Sequence, residues 1–406
     1  MRYTILLRRG HKPGILVGMK TFLKRLLQGV LIIGVVAIFL SILGGDKNGD
    51  QSKDPSGSTS TERKTGTSEN NSDGGLSVTQ KGERVLSTHV IEQASGAKGS
   101  PNYDATLQKG IDAGIESLNM TVNWNDAEAS DGTFKPDVFV QANRYYAFRN
   151  IKMDLDLRPV DTAGIMLPED LTGKALNDPE VIVRFKKFLD NVFGVMPDVK
   201  FNFLAIGNEV DSVFINDKKR YAEYEGFLKE VIPYAKTKRH GLKVGMIVTY
   251  AGLTSGDADE YQKLNALTDV IILTYYPLKG DYTTKKLPIF EKEISKVFSL
   301  YPKSQIYFSE IGYPSSYEAG GSEAKQAEFV REVFKVWDAH SDRIAGVAFF
   351  TLNELTTSSV NDLTKYFSVA TKEFIATLGS MGLIAANGRE KEAFKVLQEE
   401  AQKRGW

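Results

Sequence analysis

The sequence predicts an α/β protein, a (β/α)8 TIM barrel preceded by a single N-terminal transmembrane segment and a flexible linker. Residues 85–406 alternate strand-like and helix-like runs, which indicates βα units and a parallel sheet. Eight units can be counted, which is typical of a barrel, whereas a doubly wound sheet more often has about five or six strands. Upstream, an uncharged apolar run is followed by a polar stretch with almost no apolar residues.

The N-terminus is predicted to be a basic cytoplasmic tail, residues 1–25, followed by a transmembrane signal anchor, residues 26–45. The tail carries seven Lys or Arg and no acidic residue, and such a flank stays in the cytoplasm. The next run, LLQGVLIIGVVAIFLSILGG, has the length of about 20 residues that crosses a bilayer. If translation starts at Met19, the run also resembles a signal peptide, although no A-x-A site follows, so secretion after cleavage is the alternative.

Residues 46–84 are predicted to be a flexible linker, because they are dominated by small polar and charged residues and can bury no core. We therefore expect a single-pass protein of the cell membrane. Its large domain, residues 85–406, would lie outside the cell and would be a monomer.

Composition excludes several functional classes. Outside the basic tail, 44 basic residues face 51 acidic ones, and this balance argues against binding of nucleic acid. Cysteine is absent and the four histidines are scattered, so neither a disulfide scaffold nor a metal site is predicted. No Gly-rich phosphate loop follows a strand, and no cofactor is expected.

The eight predicted strands are residues 85–91, 115–122, 153–157, 201–206, 243–249, 270–274, 305–309 and 345–351. Amphipathic segments between them predict helices at residues 103–113, 136–150, 181–193, 219–240 and 323–340. Pro136 and Pro179 suit the first turn of a helix. Because the carboxyl ends of parallel barrel strands face one mouth, residues at strand ends can converge there.

Two glutamates follow predicted strands. The run FNFLAIGNEVD, residues 201–211, ends the fourth strand with Asn208 and Glu209, and QIYFSEIGYPSS, residues 305–316, carries Glu310 after the seventh. Such ends suggest a pair of carboxylates across a ligand.

A second Asn-Glu pair, Asn353 and Glu354, follows the eighth strand. Glu209 and Glu310 are separated by three βα units, whereas Glu310 and Glu354 are separated by one. We therefore assign Glu354 to a substrate subsite or to a structural role.

These motifs resemble those of clan A glycoside hydrolases, retaining enzymes with a (β/α)8 barrel and one Glu after each of strands four and seven. The matching segments are GNE (207–209), TYYPL (274–278), SEIGYPSS (309–316), the loop WNDAEASDGTF (124–134) and GLIAANGREKEAF (382–394), which leads into the last helix. Within the clan, AIGNEV and SEIGYPSS are most similar to family 17 β-glucanases, and TYYPL is also similar to family 53 galactanases.

The resemblance implies retaining hydrolysis, or transglycosylation, of β-linked glycosides or polysaccharide by double displacement. Glu209 maps to the acid/base and Glu310 to the nucleophile, and retention requires the two carboxyl groups about 5 to 5.5 Å apart. Repulsion between them would raise the pKa of the acid. Asn208 would bind the sugar 2-hydroxyl.

Further substrate-binding residues are expected at strand ends. The clan carries a Tyr on strand six that points at the nucleophile, and we assign it to Tyr275, with Tyr276 as the alternative. Phe349 and Phe350 stand where the clan often has a Trp, and Phe350 is taken as a site residue. Four more candidates to line the sugar site are Asn123, Trp124, Arg158 and Asp161. Arg158 fits a buried ion pair equally well.

Two other functional classes remain open at this stage. One is a catalytically inactive carbohydrate-binding protein of the cell surface that keeps the same barrel. The other is a membrane-tethered scaffold with no sugar ligand. Binding of an oligosaccharide would distinguish the enzyme and the binding protein from the scaffold. Turnover would then distinguish the enzyme from the binding protein.

Overall fold

The computed structural model describes residues 78–91 and 103–406, and in it parallel strands form a barrel. Hydrogen-bonded strands follow one another around a ring, and every neighbouring pair is parallel. The strands are β1 (Val85–Thr88), β2 (Ser117–Asn123), β3 (Lys152–Arg158), β4 (Phe201–Ile206), β5 (Val244–Gly245 and Ile247–Thr249), β6 (Ile271–Tyr275), β7 (Ile306–Ile311) and β8 (Ile344–Phe349).

The ring closes at β5, whose two segments are separated by Met246. The first segment pairs with β4 and the second pairs with β6. The sheet therefore runs from β5 through β4, β3, β2, β1, β8, β7 and β6 back to β5. This confirms the predicted eight-stranded barrel.

Helices surround the strands. Those of eight or more residues around the barrel are α1 (Tyr103–Asp112), α2 (Asp137–Phe148), α3 (Pro179–Val195), α4 (Lys218–Lys236), α5 (Ala258–Asn265), α6 (Phe290–Leu300), α7 (Glu323–Ala339) and α8 (Glu392–Arg404). Pro179 is the first residue of α3, where Asp178 caps the helix by accepting a hydrogen bond from the Glu180 amide at 2.8 Å. Pro136 lies one position before α2.

Two additional helices, Thr357–Tyr366 and Lys372–Ser380, lie between β8 and α8. We call residues 357–380 the β8 insertion. Its apolar side chains form a second hydrophobic cluster with residues that follow β1, β6 and β8. The cluster includes Ile91, Tyr276, Tyr282, Phe350, Val360, Leu363 and Phe374. Because those residues follow the carboxyl ends of strands, the insertion covers part of the barrel mouth.

Residues 78–84, which the sequence assigned to the linker, pack against the opposite face of the barrel. The Lys81 amide donates to the Arg404 carbonyl at 2.7 Å. The Arg84 guanidinium pairs with Asp338 at 2.9 Å and lies over the ring of Trp406 at 5.2 Å. The folded domain therefore begins before Val85.

The predicted tail, the transmembrane segment and residues 46–77 of the linker lie outside the described residues. In residues 78–91 and 103–406, no helix is both long and apolar enough to span a bilayer.

Candidate active site

Glu209 follows β4 in a turn whose backbone has positive φ angles at two positions. Gly207 has a φ of 94°, and a Cβ there would lie 2.9 Å from Val210 and from the Tyr224 hydroxyl. Glu209 itself has a φ of 40° and is fully buried. Its carboxyl group accepts hydrogen bonds from the hydroxyls of Thr274, at 2.7 Å, and Thr162, at 3.2 Å. The glutamate is therefore held inside the mouth.

The surroundings of Glu209 favour its protonated form. Burial raises the pKa of Glu209 to about 8, and the charges of Asp211 and Asp161 act in the same direction. The two threonine hydroxyls oppose this shift only in part. A carboxyl group that keeps its proton near neutral pH has the state that a general acid needs.

A β-bulge in β7 directs Glu310 into the barrel. Phe308 pairs with Leu273, but the next partner, Thr274, pairs with Glu310, so Ser309 is an extra residue. Phe308 packs outward on Phe290 of α6, with ring centroids 5.3 Å apart. Regular alternation would place Glu310 on that same outward face. The bulge shifts the alternation by one residue and brings Glu310 inward, where it is buried.

The carbonyl of the bulged residue is held by polar side chains from neighbouring strands. Asn119 Nδ2 donates to the Ser309 carbonyl oxygen at 2.9 Å, and His89 Nε2 lies 3.0 Å from the same oxygen. Burial lowers the pKa of His89 to about 4, so this imidazole is neutral near pH 7.

Glu310 is coupled electrostatically to Glu209. Burial, and next the charge of Glu209, raise the pKa of Glu310 well above its ordinary value. The Tyr276 hydroxyl, which donates to Glu310 Oε2 at 2.5 Å, and the charge of Arg158 act in the opposite direction. Like charges disfavour double ionisation of the pair. Tyr276 and Arg158 favour a negative charge on Glu310, whereas the hydrogen-bond donors to Glu209 are two threonine hydroxyls.

The assignment of Tyr275 as the tyrosine facing the nucleophile position is wrong, and Tyr276 has that place. Tyr275 points to the helix layer, where its hydroxyl donates to Glu293 at 2.7 Å and its ring packs on Phe290 at 5.0 Å. Alternation along β6 explains this difference, because Thr274 and Tyr276 share the inward face and Tyr275 lies between them.

Asn208 and Arg158 belong to one buried network centred on Asp161. The Asn208 amide donates to Asp161 Oδ1 at 3.1 Å, and Arg158 Nη1 donates to the same oxygen at 2.9 Å. Arg158 also pairs with Asp156 at 2.5 Å, so the ion-pair alternative for Arg158 is confirmed. The Asn208 side-chain oxygen is buried without a hydrogen-bond partner among the described residues. This oxygen is therefore available to accept a hydrogen bond from a bound molecule.

Trp124 does not line the mouth, and its expected place at the sugar site is wrong. The ring is fully buried and packs on Phe185 and Phe188 of α3, with centroids 5.0 and 6.1 Å away. Alternation along β2 sends Trp124 outward and Asn123 inward. Asn123 pairs with Arg158 in the strand register and so lies beside the network.

Phe350 is buried under the mouth. Its ring meets the edge of Tyr276 at 6.0 Å and of His89 at 5.3 Å. It therefore supports the tyrosine that bonds Glu310.

The second Asn-Glu pair is structural. The side-chain oxygen of Asn353 accepts from the Ile91 amide at 3.0 Å, and Asn353 Nδ2 donates to the Ile91 carbonyl at 2.7 Å. Glu354 forms an ion pair with buried Lys391 at 2.5 Å and accepts from the Ala386 amide at 2.9 Å. Of the two pairs, the first is the one that the fold places beside Glu310.

Several residues of this site were not singled out from the sequence. Thr162 and Thr274 bond Glu209, while His89 and Asn119 contact the bulge carbonyl. Alternation along β6 would have pointed to Thr274, whereas nothing in the local sequence marks the others. In the part of the chain that the structure describes, no group of three or more His, Asp or Glu side chains is arranged to hold a metal ion.

No protein-family model matches the sequence, and no curated protein matches it either. Solved structures do resemble the fold. A GH5_18 protein from Bifidobacterium longum superposes with a TM-score of 0.60 at 14% identity, covering 80% of each chain. A GH5_18 variant from Streptomyces cattleya, in complex with Manb1-4GlcNAc, has a TM-score of 0.59 at 15% identity, covering 79% of this chain and 80% of that one.

The exo-beta-1,4-mannosidase Op5Man5 from an Opitutaceae bacterium has a TM-score of 0.60 at 13% identity, covering 79% of this chain and 59% of that one. These neighbours do not single out families 17 or 53. The chain therefore has the (β/α)8 fold that these glycoside hydrolases share.

Proposed function

We propose that this protein is a retaining β-glycosidase that uses Glu209 and Glu310 in a double displacement. The observation that carries this proposal is the pair of buried glutamates at the ends of β4 and β7, close enough for one charge to raise the pKa of the other. One carboxyl group has neutral hydroxyl donors, and the other has a tyrosine and a nearby arginine. This asymmetry suits an acid and a nucleophile.

In the first step, a Glu310 oxygen attacks the anomeric carbon while Glu209 gives its proton to the leaving oxygen, which departs as an alcohol. In the second step, ionised Glu209 takes a proton from water, and the water oxygen displaces Glu310 from the same carbon. The configuration is thereby retained. A sugar hydroxyl in place of water would give transglycosylation by the same route.

The sugar of the glycone subsite would bind the free Asn208 oxygen through its 2-hydroxyl. The neighbours suggest where to begin a substrate search. One binds Manb1-4GlcNAc and another is an exo-beta-1,4-mannosidase, so β-mannosides come first, followed by β-glucosides and β-galactosides.

Two variants of the full-length chain test the assignment with aryl β-glycosides. Glu310→Ala should abolish turnover, and added azide should give a glycosyl azide of inverted configuration, because only one displacement occurs. Glu209→Ala should still react with a good leaving group but should stall at deglycosylation for lack of a base. Azide should then accelerate the reaction and give a product of retained configuration.

Glu354→Ala is the matched control, because it removes the glutamate of the structural Asn-Glu pair. It should show neither azide pattern. If Glu354→Ala behaves as described for Glu209→Ala, the assignment is wrong. Saturable oligosaccharide binding without turnover would favour the alternative of an inactive carbohydrate-binding protein.

We also propose that the chain is a single-pass protein of the cell membrane with the barrel outside. The basic tail, the apolar run and the polar linker support this orientation. Protease added to intact cells should release the barrel. Protection of the barrel until the membrane is opened would contradict the proposal.

A further inference from the structure

The β8 insertion extends across one side of the barrel mouth. It begins after β8, and its first helix buries Val360 and Leu363 in the cluster that contains Ile91, which follows β1. At the end of this helix, the Tyr366 hydroxyl donates to Asp161 Oδ2 at 2.6 Å. Since Asp161 follows β3, the helix reaches from the β8 and β1 side of the mouth to β3.

The second helix of the insertion is fixed to the loops after β6 and β7. The Thr377 hydroxyl donates to the Tyr282 carbonyl at 2.9 Å, and the Phe374 ring lies 4.8 Å from the ring of Tyr282. The Ser315 amide donates to the Ser380 carbonyl at 3.1 Å. The insertion is therefore a packed wall, anchored at both ends, and not an isolated loop.

The position of this wall relative to Glu209 determines which part of a substrate it meets. In the strand ring, β8 lies four strands from β4 in either direction, so the two are opposite each other. The leaving group of a glycoside must lie beside the acid, which is Glu209 after β4. Sugars attached to the non-reducing side of the reacting ring would then extend away from Glu209, toward β8 and β1.

We propose that the β8 insertion closes the glycone side of the site, so that the enzyme removes single sugars from the non-reducing end of its substrate. This inference rests on the proposed function, since it takes Glu209 as the acid. A polysaccharide chain cannot lie across the mouth, because the insertion covers the end of β8, which lies opposite Glu209 in the strand ring. Tyr366 attaches the wall to Asp161, which also binds Asn208 and Arg158, and it is thus a positioning residue.

The test uses the full-length chain with β-linked manno-, gluco- and galacto-tetrasaccharides labelled at the reducing end, together with the aryl monosaccharide glycosides. The labelled products should shorten by one sugar at a time. The same tetrasaccharide with a benzylidene group across two hydroxyls of its non-reducing sugar should resist cleavage. Labelled di- or monosaccharide that appears before the labelled trisaccharide, or cleavage of the blocked substrate as fast as the free one, would overturn the inference.

These outcomes separate the inference from the proposed function. Internal cleavage with turnover of aryl glycosides would leave the glycosidase intact and remove the exo-action. No turnover of any substrate in this panel would contradict the proposed function, and the inference would fail with it.

A pair of variants tests the wall directly. Tyr366→Ala should raise the rate on the blocked tetrasaccharide relative to the free one by roughly tenfold, since a steric block of a few atoms is worth about that factor. Tyr317→Ala is the control, because Tyr317 is 89% exposed on the loop after β7, and it should leave this ratio unchanged. An equal ratio in wild type and Tyr366→Ala would contradict the role of Tyr366, and the product pattern of the wild type decides the inference even if the variant misfolds.

Discussion

Glu310 receives its hydrogen bond from Tyr276, while the preceding tyrosine bonds a carboxylate in the helix layer. The two tyrosines are adjacent, buried and equal in size, but only one faces the mouth. They therefore form a natural pair for separating a role in catalysis from a role in stability.

We expect Tyr276→Phe to lower kcat/KM for aryl glycosides by roughly ten- to a hundredfold, because a hydrogen bond to a charged group contributes about 1.5–3 kcal/mol. Tyr275→Phe should leave kcat/KM unchanged and lower the free energy of unfolding by about 1 kcal/mol, since it loses only the bond to Glu293. Steady-state kinetics and urea denaturation check both. Equal losses of activity would show that Tyr276 has no special contact with Glu310.

At the same scale, the sequence identified the positions of the two glutamates but not the directions of all their neighbours. Trp124 was expected at the sugar site because it follows a strand, and Tyr275 was assigned by resemblance, but alternation along each strand directs both rings into the helix layer. Trp124 lies on the same side of β2 as Val122 and Met120, two apolar residues that pack in the main core. Alternation along the strand would therefore have placed the Trp124 ring in the helix layer.

Among the strands and helices, those with strong local patterns were predicted best. The fourth strand was predicted at residues 201–206 and is found at Phe201–Ile206. The seventh was predicted to end at Ser309 but continues to Ile311. The bulge that extends it depends on pairing with β6 and β8, and such pairing leaves no mark in the local sequence.

The β8 insertion could not be predicted from its own residues. Neither of its helices was assigned from the sequence, nor were α5 and α6. Its contact with the network at Asp161 joins residues 205 positions apart. A hydrogen bond between residues so far apart in sequence can be recognised only from the folded barrel, in which the ends of β8 and β3 lie at the same mouth.

For the molecule as a whole, burial of several carboxyl groups makes stability depend on pH. Burial raises the pKa of Glu209 from 4.5 to about 8 and that of Asp211 from 3.8 to about 6. Between the unfolded and folded pKa values, the folded chain keeps protons that the unfolded chain loses. The contribution of these two groups to the free energy of unfolding is fully present below about pH 4. It is lost as the pH rises through 6 and then 8.

We therefore expect the free energy of unfolding to fall on the order of a few kcal/mol between pH 4.5 and 8. Chemical denaturation at a series of pH values measures this slope. Glu209→Gln keeps the shape of the side chain without its titration, so it should flatten the part of the curve between about pH 6 and 8. A wild-type stability that rises over this range would contradict the burial of protonated Glu209.

The architecture of the whole domain was predictable because eight strand-like runs alternate with amphipathic ones over its length. Its N-terminal boundary was not, because residues 78–84 have the polar composition of a linker. They are held by a few specific contacts with α7 and α8, such as the ion pair of Arg84 with Asp338, and composition does not reveal such contacts.

The chain enters and leaves the barrel at the same place. Lys81 bonds Arg404 and also pairs with Glu116 at 2.6 Å, just before β2, and Trp406 donates to that glutamate at 3.1 Å. The candidate active site lies at the far end of the strands. If the protein is held at a surface through its N-terminus, as proposed above, the tether joins the barrel at the end opposite the mouth, and a bulky polymer can reach the two glutamates without passing the point of attachment.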